Sequence, residues 1–380
     1  MQRRIELDAA RGAMLVWMTL THLPTVISTY SSQPFGFVSG AEGFIWLSAL
    51  FTGRVYFLIA EENGYREMSK QLWMRALRLY LYHVTLLGIA FLVVAHLAAA
   101  GNRPALHNLL DFYFTSPKRA LLYATLLIYR PPLLDILPMY ITFLLLTPVA
   151  LTLATKVSWK LILGAGFTLW LLAQFGLRLA LYNLAAHING LNIPLSATGS
   201  FDLFAWQFMW LVGLYCGVRW AKGDLPVVEW ARRLLAPAML IVPALFVLRC
   251  LVGHGIELGI FEVSFDKWHL GIVRIVNFAA ISILLVRFQS LVKPLTIRPL
   301  VTMGQSSLQV FCAHLLFCFV GLAIMGDAPT VNGWREAALV AMTLFGMYLT
   351  AQMFSRRPST AKGQALKNGP AARPLPQFGD

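Results

Sequence analysis

Residues 136–155 read ILPMYITFLLLTPVALTLAT, a run of twenty positions without one charged side chain. Coiled as an α-helix at 1.5 Å per residue, the run is about 30 Å long, which matches the hydrocarbon core of a bilayer. Comparable runs lie on both sides of it. Hydropathy places ten of them, near residues 10–29, 37–60, 72–99, 133–155, 159–181, 203–221, 234–252, 269–289, 302–325 and 335–354. The whole chain agrees with this local reading: of its 380 residues 58% are apolar and only 13% charged, and the mean hydropathy is +0.66. No soluble core hides that much apolar surface. An all-α polytopic integral membrane protein follows, with about ten transmembrane helices in one membrane-embedded domain over residues 1–355.

Charge placement sets the orientation. With the N-terminus in the cytoplasm, alternation of the ten spans puts 22 of the 31 Lys and Arg on the cytoplasmic side, as the positive-inside rule asks. Both termini are then cytoplasmic, and residues 356–380, rich in Pro, Gly, Lys and Ala, read as a disordered cytoplasmic tail. The net charge of +14 is spread over short loops as membrane insertion requires, so nucleic-acid binding is excluded. The first apolar run, behind Arg3, Arg4 and Arg11, superficially resembles a secretory leader. It holds His22 and Pro24 and no small-residue cleavage site follows, so a retained span is expected. Cys216, Cys250, Cys312 and Cys318 lie in apolar runs without ligand spacing and read as buried reduced thiols. No HExxH motif, phosphate loop or cysteine-rich pattern is present, so neither a metal nor a permanently bound cofactor is expected. Residues 101–132 are too long for a simple turn and include a semi-apolar segment, 120–129, suited to lie in the interface or roof a site.

Ionisable side chains inside spans are costly and mark function when they face a cavity. Arg11 and His22 lie eleven residues apart, three helical turns, so they share a face about 16 Å apart along the axis. Such a pair suits an anionic head group at the cytoplasmic edge and an imidazole working deeper, as an acyl-coenzyme A would need; an anchor and a packing residue are the plain alternative. Arg75 and Arg78, one turn apart at a cytoplasmic span entry, suit phosphate oxygens or topological anchoring alike. Glu42 begins the second span at about the depth of His22, where a carboxylate orients an imidazole or serves structure. Asp135 opens the fourth span as a helix cap or an acceptor contact. Tyr140, Trp206, Gln207, Gln309 and His314 complete the polar inventory as acceptor contacts or helix–helix glue. His83, His96, His187 and His269 read as interfacial or packing residues.

Several segments in order resemble one family. Arg11 to His22 after Arg4-Ile5-Glu6-Leu7-Asp8, then Ala41-Glu42-Gly43-Phe44-Ile45-Trp46-Leu47-Ser48, then Arg75-Ala76-Leu77-Arg78 look like its first three span signatures. Leu134-Asp135-Ile136-Leu137-Pro138-Met139-Tyr140, Phe204-Ala205-Trp206-Gln207 and Gly304-Gln305-Ser306-Ser307-Leu308-Gln309-Val310-Phe311 extend the likeness. The chain resembles membrane acyltransferases of the acyltransferase-3 superfamily, OpgC type, which succinylate osmoregulated periplasmic glucans. The resemblance implies a bacterial inner-membrane enzyme that takes an acyl group, expected to be succinyl, from cytoplasmic acyl-CoA to a hydroxyl of a periplasmic glucan or related glycan. It implies His22 as general base, Glu42 as its orienter, and Arg11, Arg75 and Arg78 as the clamp on coenzyme A phosphates. A succinyl end would want an outer cation, for which Arg130, Arg178, Arg249 and Arg274 are candidates.

A transporter or flippase for an anionic or glycan-lipid substrate would use the same buried His, Glu and Arg as a pathway; release of free coenzyme A separates an enzyme from it. The topology is checked by cysteine-accessibility labelling. Positions near Lys222 should label from the cytoplasm and positions near Asn192 from the periplasm. Labelling at Asn192 only from the inside would overturn the ten-span order.

Overall fold

The computed structural model describes residues 5–355, apart from residues 102, 191, 292 and 327–332. The expected tail at 356–380 lies outside the described residues. Those described form helices and connecting turns with no strand among them. Helix α1 (Ile5–His22) is followed by the short α2 (Val26–Ser31). Helix α3 (Gly40–Ile89) runs on through one π turn (Ala90–Val94) into α4 (Ala95–Ala100). Three short helices, α5 (Pro104–Leu109), α6 (Asp111–Thr115) and α7 (Pro117–Thr125), occupy the long connection that follows. Then come α8 (Ile136–Lys156), α9 (Trp159–Gln174), α10 (Leu177–Asn189) and α11 (Leu203–Ala221). The rest are α12 (Pro226–Arg233), α13 (Leu235–Gly253), α14 (Glu262–Phe265), α15 (Ile272–Arg287), α16 (Arg298–Gln305), α17 (Ser307–Met325) and α18 (Gly333–Ser355).

Among the described residues six helices are long and apolar enough to cross a membrane, or seven if a pair bent by 78° is one span. Each of the ten expected segments carries a helix, but the helices differ from the hydropathy pattern in four ways. The stretch 10–29 is not one helix: α1 stops at His22, two residues before Pro24, and starts with Glu6, Asp8 and Arg11. The stretches 37–60 and 72–99 lie in one helical stretch of 61 residues, Gly40–Ala100, which folds back on itself as two arms: Arg75 reaches Thr52 at 3.0 Å, although 23 residues of straight helix would span about 35 Å. Its charged middle, Glu61 to Lys70, stays helical and breaks only at Gly64, whose φ of 83° and ψ of 164° leave the helix. The stretch 159–181 bends between α9 and α10 at Gly176, which takes a φ of +85°, a conformation open to glycine without strain. Helix α15 is only 16 residues long.

Apolar surface sorts as lipid contact would demand. Helix α13 buries only Ala238, and Leu240 on it is 74% exposed; Met353 on α18 is 72% exposed. Such side chains are a liability in water and at home in lipid. Cys216, Cys312 and Cys318 are buried, whereas Cys250, expected to be so, is exposed on α13. The outer helices pack inward: Ala120 and Ala124 of α7 are fully buried, and Phe91 stacks on Tyr113 with centroids 4.5 Å apart.

The tightest approaches are made by glycine. A Cβ at Gly53 would collide with the carbonyl of Leu214, and one at Gly217 with that of Leu50, so α3 and α11 touch backbone to backbone. Gly12 and Gly304 do the same for α1 and α16, against Leu300 and Asp8. In lipid, where apolar burial gives helices no drive to associate, such close contact supplies the packing. Gly217→Ala should therefore lower the unfolding midpoint in detergent, at an overpacking cost of about 1–3 kcal/mol. Gly164→Ala, where a Cβ meets nothing within 4 Å, should leave it unchanged or raise it. Equal midpoints for the two variants would refute the packing role.

Candidate active site

A cavity of about 540 Å³ opens among α1, α3, α8, α16 and α17, within the range of small-molecule sites. Arg11, Lys70, Arg75 and Arg78 line it together with Tyr140 and Gln309, and no carboxylate does. The structure thus brings together five residues singled out from sequence: Arg11, Arg75, Arg78, Tyr140 and Gln309. Their elements explain the meeting. Arg75 and Arg78 lie one turn apart on α3, Arg11 is near the start of α1, Tyr140 opens α8 and Gln309 opens α17.

The cations are held by neutral oxygens. Arg75 donates to Thr52 Oγ1 at 3.0 Å and to the Tyr140 hydroxyl at 2.6 Å, and Arg11 donates to Ser307 Oγ at 2.6 Å. Gln309 Nε2 reaches the Tyr82 hydroxyl at 3.4 Å. Arg78 is exposed and has no hydrogen bond or ion pair among the described residues. Hydroxyls fix the Arg75 guanidinium without cancelling its charge, and no carboxylate lines the cavity among the described residues, so the cavity suits phosphate oxygens.

His22 does not line this cavity. It ends α1, and its Nδ1 lies 3.3 Å from Nε2 of His314, the rings stacked at 5.6 Å with 19° between planes. His314 Nδ1 lies 2.7 Å from the Phe311 carbonyl, which fixes the tautomers of a neutral pair. A carbonyl only accepts, so His314 carries its proton on Nδ1 and its Nε2 accepts. His22 must then donate from Nδ1, which leaves Nε2 of His22 as a lone pair able to take a proton. Phe311 joins the two halves of the site: it lines the cavity, its ring meets His314 edge-on at 4.8 Å, and it stacks on Phe44 at 5.9 Å.

Glu42 is placed differently from the expectation. Its Oε1 accepts from Arg274 Nε at 2.9 Å and from the Arg274 terminal nitrogen, and its Oε2 accepts from the Ser39 amide at 3.0 Å and hydroxyl at 2.5 Å. Both oxygens are therefore committed to a helix cap and a buried ion pair, and His314 occupies the orienting position on His22. Asp135 does not cap α8 with its side chain; its Oδ2 accepts from the Ser200 amide at 3.2 Å. Trp206 donates to the Trp268 carbonyl at 3.1 Å, and Gln207 donates to the Gly166 carbonyl at 2.6 Å. These three tie the loops at Ser200 and Trp268 to α8 and α11, and α11 to α9, away from the cationic cavity.

Sequence reasoning missed Thr52, Ser307 and Phe311 as site residues, since nothing marks a hydroxyl or aromatic among many. It also read His269 as an interfacial or packing residue. His269 Nδ1 lies 2.5 Å from Asp266 Oδ2, and this hydrogen bond holds the imidazole above its usual pKa against the opposing effect of burial. The acid and the base in Asp266-Lys267-Trp268-His269, three residues apart, were the available signal.

The Glu42–Arg274 pair generates a stability test. Breaking a buried pair strands one charge at a cost of about 3–5 kcal/mol, whereas replacing both partners by apolar residues is often nearly neutral. Arg274→Met should thus lower the unfolding midpoint in detergent, and the double variant with Glu42→Met should recover most of the loss. No recovery would refute the account of Glu42 as a structural carboxylate.

No curated protein and no solved structure matches the chain. A family model described as OpgC protein matches residues 3–359, a range that contains the cationic cavity, the histidine pair and every span. The chain belongs to the OpgC family.

Proposed function

We propose that this chain is a ten-span inner-membrane O-acyltransferase with both ends in the cytoplasm, which moves a succinyl group from succinyl-CoA to a hydroxyl of a periplasmic glucan. Family membership supports a glucan-modifying transferase. The observation that carries the rest is the junction at Phe311, where a cavity with four cations and no carboxylate abuts a tautomerically defined base.

In this reading Arg11, Lys70, Arg75 and Arg78 hold the coenzyme A phosphates. The Tyr140 hydroxyl, accepting from Arg75, keeps its own proton for the ligand. The thioester passes Phe44 and Phe311 toward His22. Nε2 of His22 removes the proton of the glucan hydroxyl as its oxygen bonds to the acyl carbon. The carbon–sulfur bond breaks, and the proton on His22 goes to the departing thiolate. His314 steadies the imidazolium by accepting from Nδ1 of His22.

His22→Ala should remove acyl transfer, with a loss of about 10²- to 10⁴-fold, and leave coenzyme A binding intact. Arg75→Ala with Arg78→Ala should do the reverse and weaken coenzyme A binding in calorimetry. Each lost charge-assisted contact is worth about 1.5–3 kcal/mol, less for the exposed Arg78. A folded His22→Ala protein that acylates glucan at more than about a tenth of the wild-type rate would sink the base assignment. A carrier, by contrast, would release no free coenzyme A.

A further inference from the structure

A second cavity of about 330 Å³ lies on the outer side between α8, α10, α11 and the loops before them. Arg130 and Arg178 line it, with Tyr182, Phe201 and Phe204 as aromatic walls, and again no carboxylate does. The two arginines have different duties. Arg178 is spent on the loop: it donates to Thr198 Oγ1 at 2.7 Å, to the Ser200 carbonyl at 3.3 Å and to the Gly199 carbonyl. Arg130 gives only its Nε, to the Leu127 carbonyl at 2.9 Å. Its two terminal nitrogens have no partner among the described residues.

The surrounding backbone is shaped to hold that fork. The Arg130 amide donates to the Ala197 carbonyl at 3.0 Å. Gly199 takes a φ of +88° against the Arg130 stem, where a Cβ would stand 2.9 Å from both Cβ and Cδ of Arg130. Asp135 accepts from the Ser200 amide and so closes the loop from behind without entering the cavity. Burial and the neighbouring Arg178 bring Arg130 down to about 10, against the opposing charges of Asp135 and Asp202, which stand near both arginines without lining the cavity; Arg130 therefore stays cationic at neutral pH. A planar fork with parallel free N–H groups matches a carboxylate in two-point contact.

We propose that the outer cavity is a second ligand site that seats a carboxylate on the terminal nitrogens of Arg130, with Arg178 as the positioning residue of its loop. The aromatic walls take the apolar body that carries the carboxylate. Its source is either the free end of a dicarboxylic acyl group or an acidic substituent already on the glycan. This choice of ligands rests on the acyl-transfer reading above.

The test uses the full chain purified in detergent and two pairs of probes: succinyl-CoA against acetyl-CoA, and a succinylated oligoglucoside against the unsubstituted one. Wild-type protein should bind the carboxylate-bearing member of one pair about tenfold more tightly, and the responding pair names the source. Arg130→Gln should abolish that preference while coenzyme A itself binds as before, which also shows that the variant is folded. Gly199→Ala, which keeps the charge but displaces the Arg130 stem, should abolish it too. Equal affinities within both pairs in the wild type, or a preference that survives Arg130→Gln, would overturn the proposal. Failure of wild-type protein to bind coenzyme A would instead sink the acyl-transfer reading, and the oligoglucoside pair would still decide the outer site.

Discussion

The architecture hangs on a charge pair that neither water nor lipid can replace. Glu42 and Arg274 are both fully buried, where a lone carboxylate or guanidinium is expensive and the pair must stay together. Around it, Ser39 and Glu42 form a capping box on α3, and Asn277, one turn beyond Arg274 on α15, accepts from the Phe37 amide at 2.8 Å. Helix α15 therefore fixes where α3 begins. From that start, α3 sets the depth of Thr52 and Arg75, and through Gly53 it sets how closely α11 can lie. Tyr140 on α8 then closes on Arg75. Polar contacts fix the register, and glycine contacts fix the distance.

The site inherits this division. The cationic end is assembled from helices whose positions are set by hydroxyl-to-guanidinium bonds, and the histidine end from α1 and α17. Phe311 and Phe44 stand where the two meet. On the proposed chemistry an apolar pair is a suitable divider, because it would let an acyl chain pass while denying coenzyme A phosphates a solvated path through the membrane interior.

The cavity's arginines were legible because depth in a membrane is written along the chain. Arg11 lies near the start of α1, and Arg75 and Arg78 lie a few turns beyond the kink at Gly64 in α3; the charge count expects all three on one side of the membrane, so any bundle brings them to about one level, and helical spacing gives the face. The pairing of His22 with His314 was not legible, since these residues are 292 positions apart and nothing local says which helices touch. The same blindness separated Glu42 from Arg274 and left His22 as its expected partner. Hydropathy and geometry part company in how the spans are joined. The charged interruption at 61–71 does divide two arms, but a kink at Gly64 and not a loop turns the chain there. At Gly176 the apolar signal is continuous while the backbone turns.

The hydrogen-bonded order of the two imidazoles carries one more consequence on the proposed chemistry. Since His314 already gives its Nδ1 proton to the amide carbonyl of Phe311, the chain His22–His314–carbonyl is a cul-de-sac: a proton entering at Nε2 of His22 finds no acceptor at its far end. It must leave through the nitrogen by which it came. On that chemistry the proton of an outer hydroxyl departs with the thiol on the inner side, so each acyl group moved outward brings one proton inward, and the transfer is coupled to the proton-motive force of the membrane it spans.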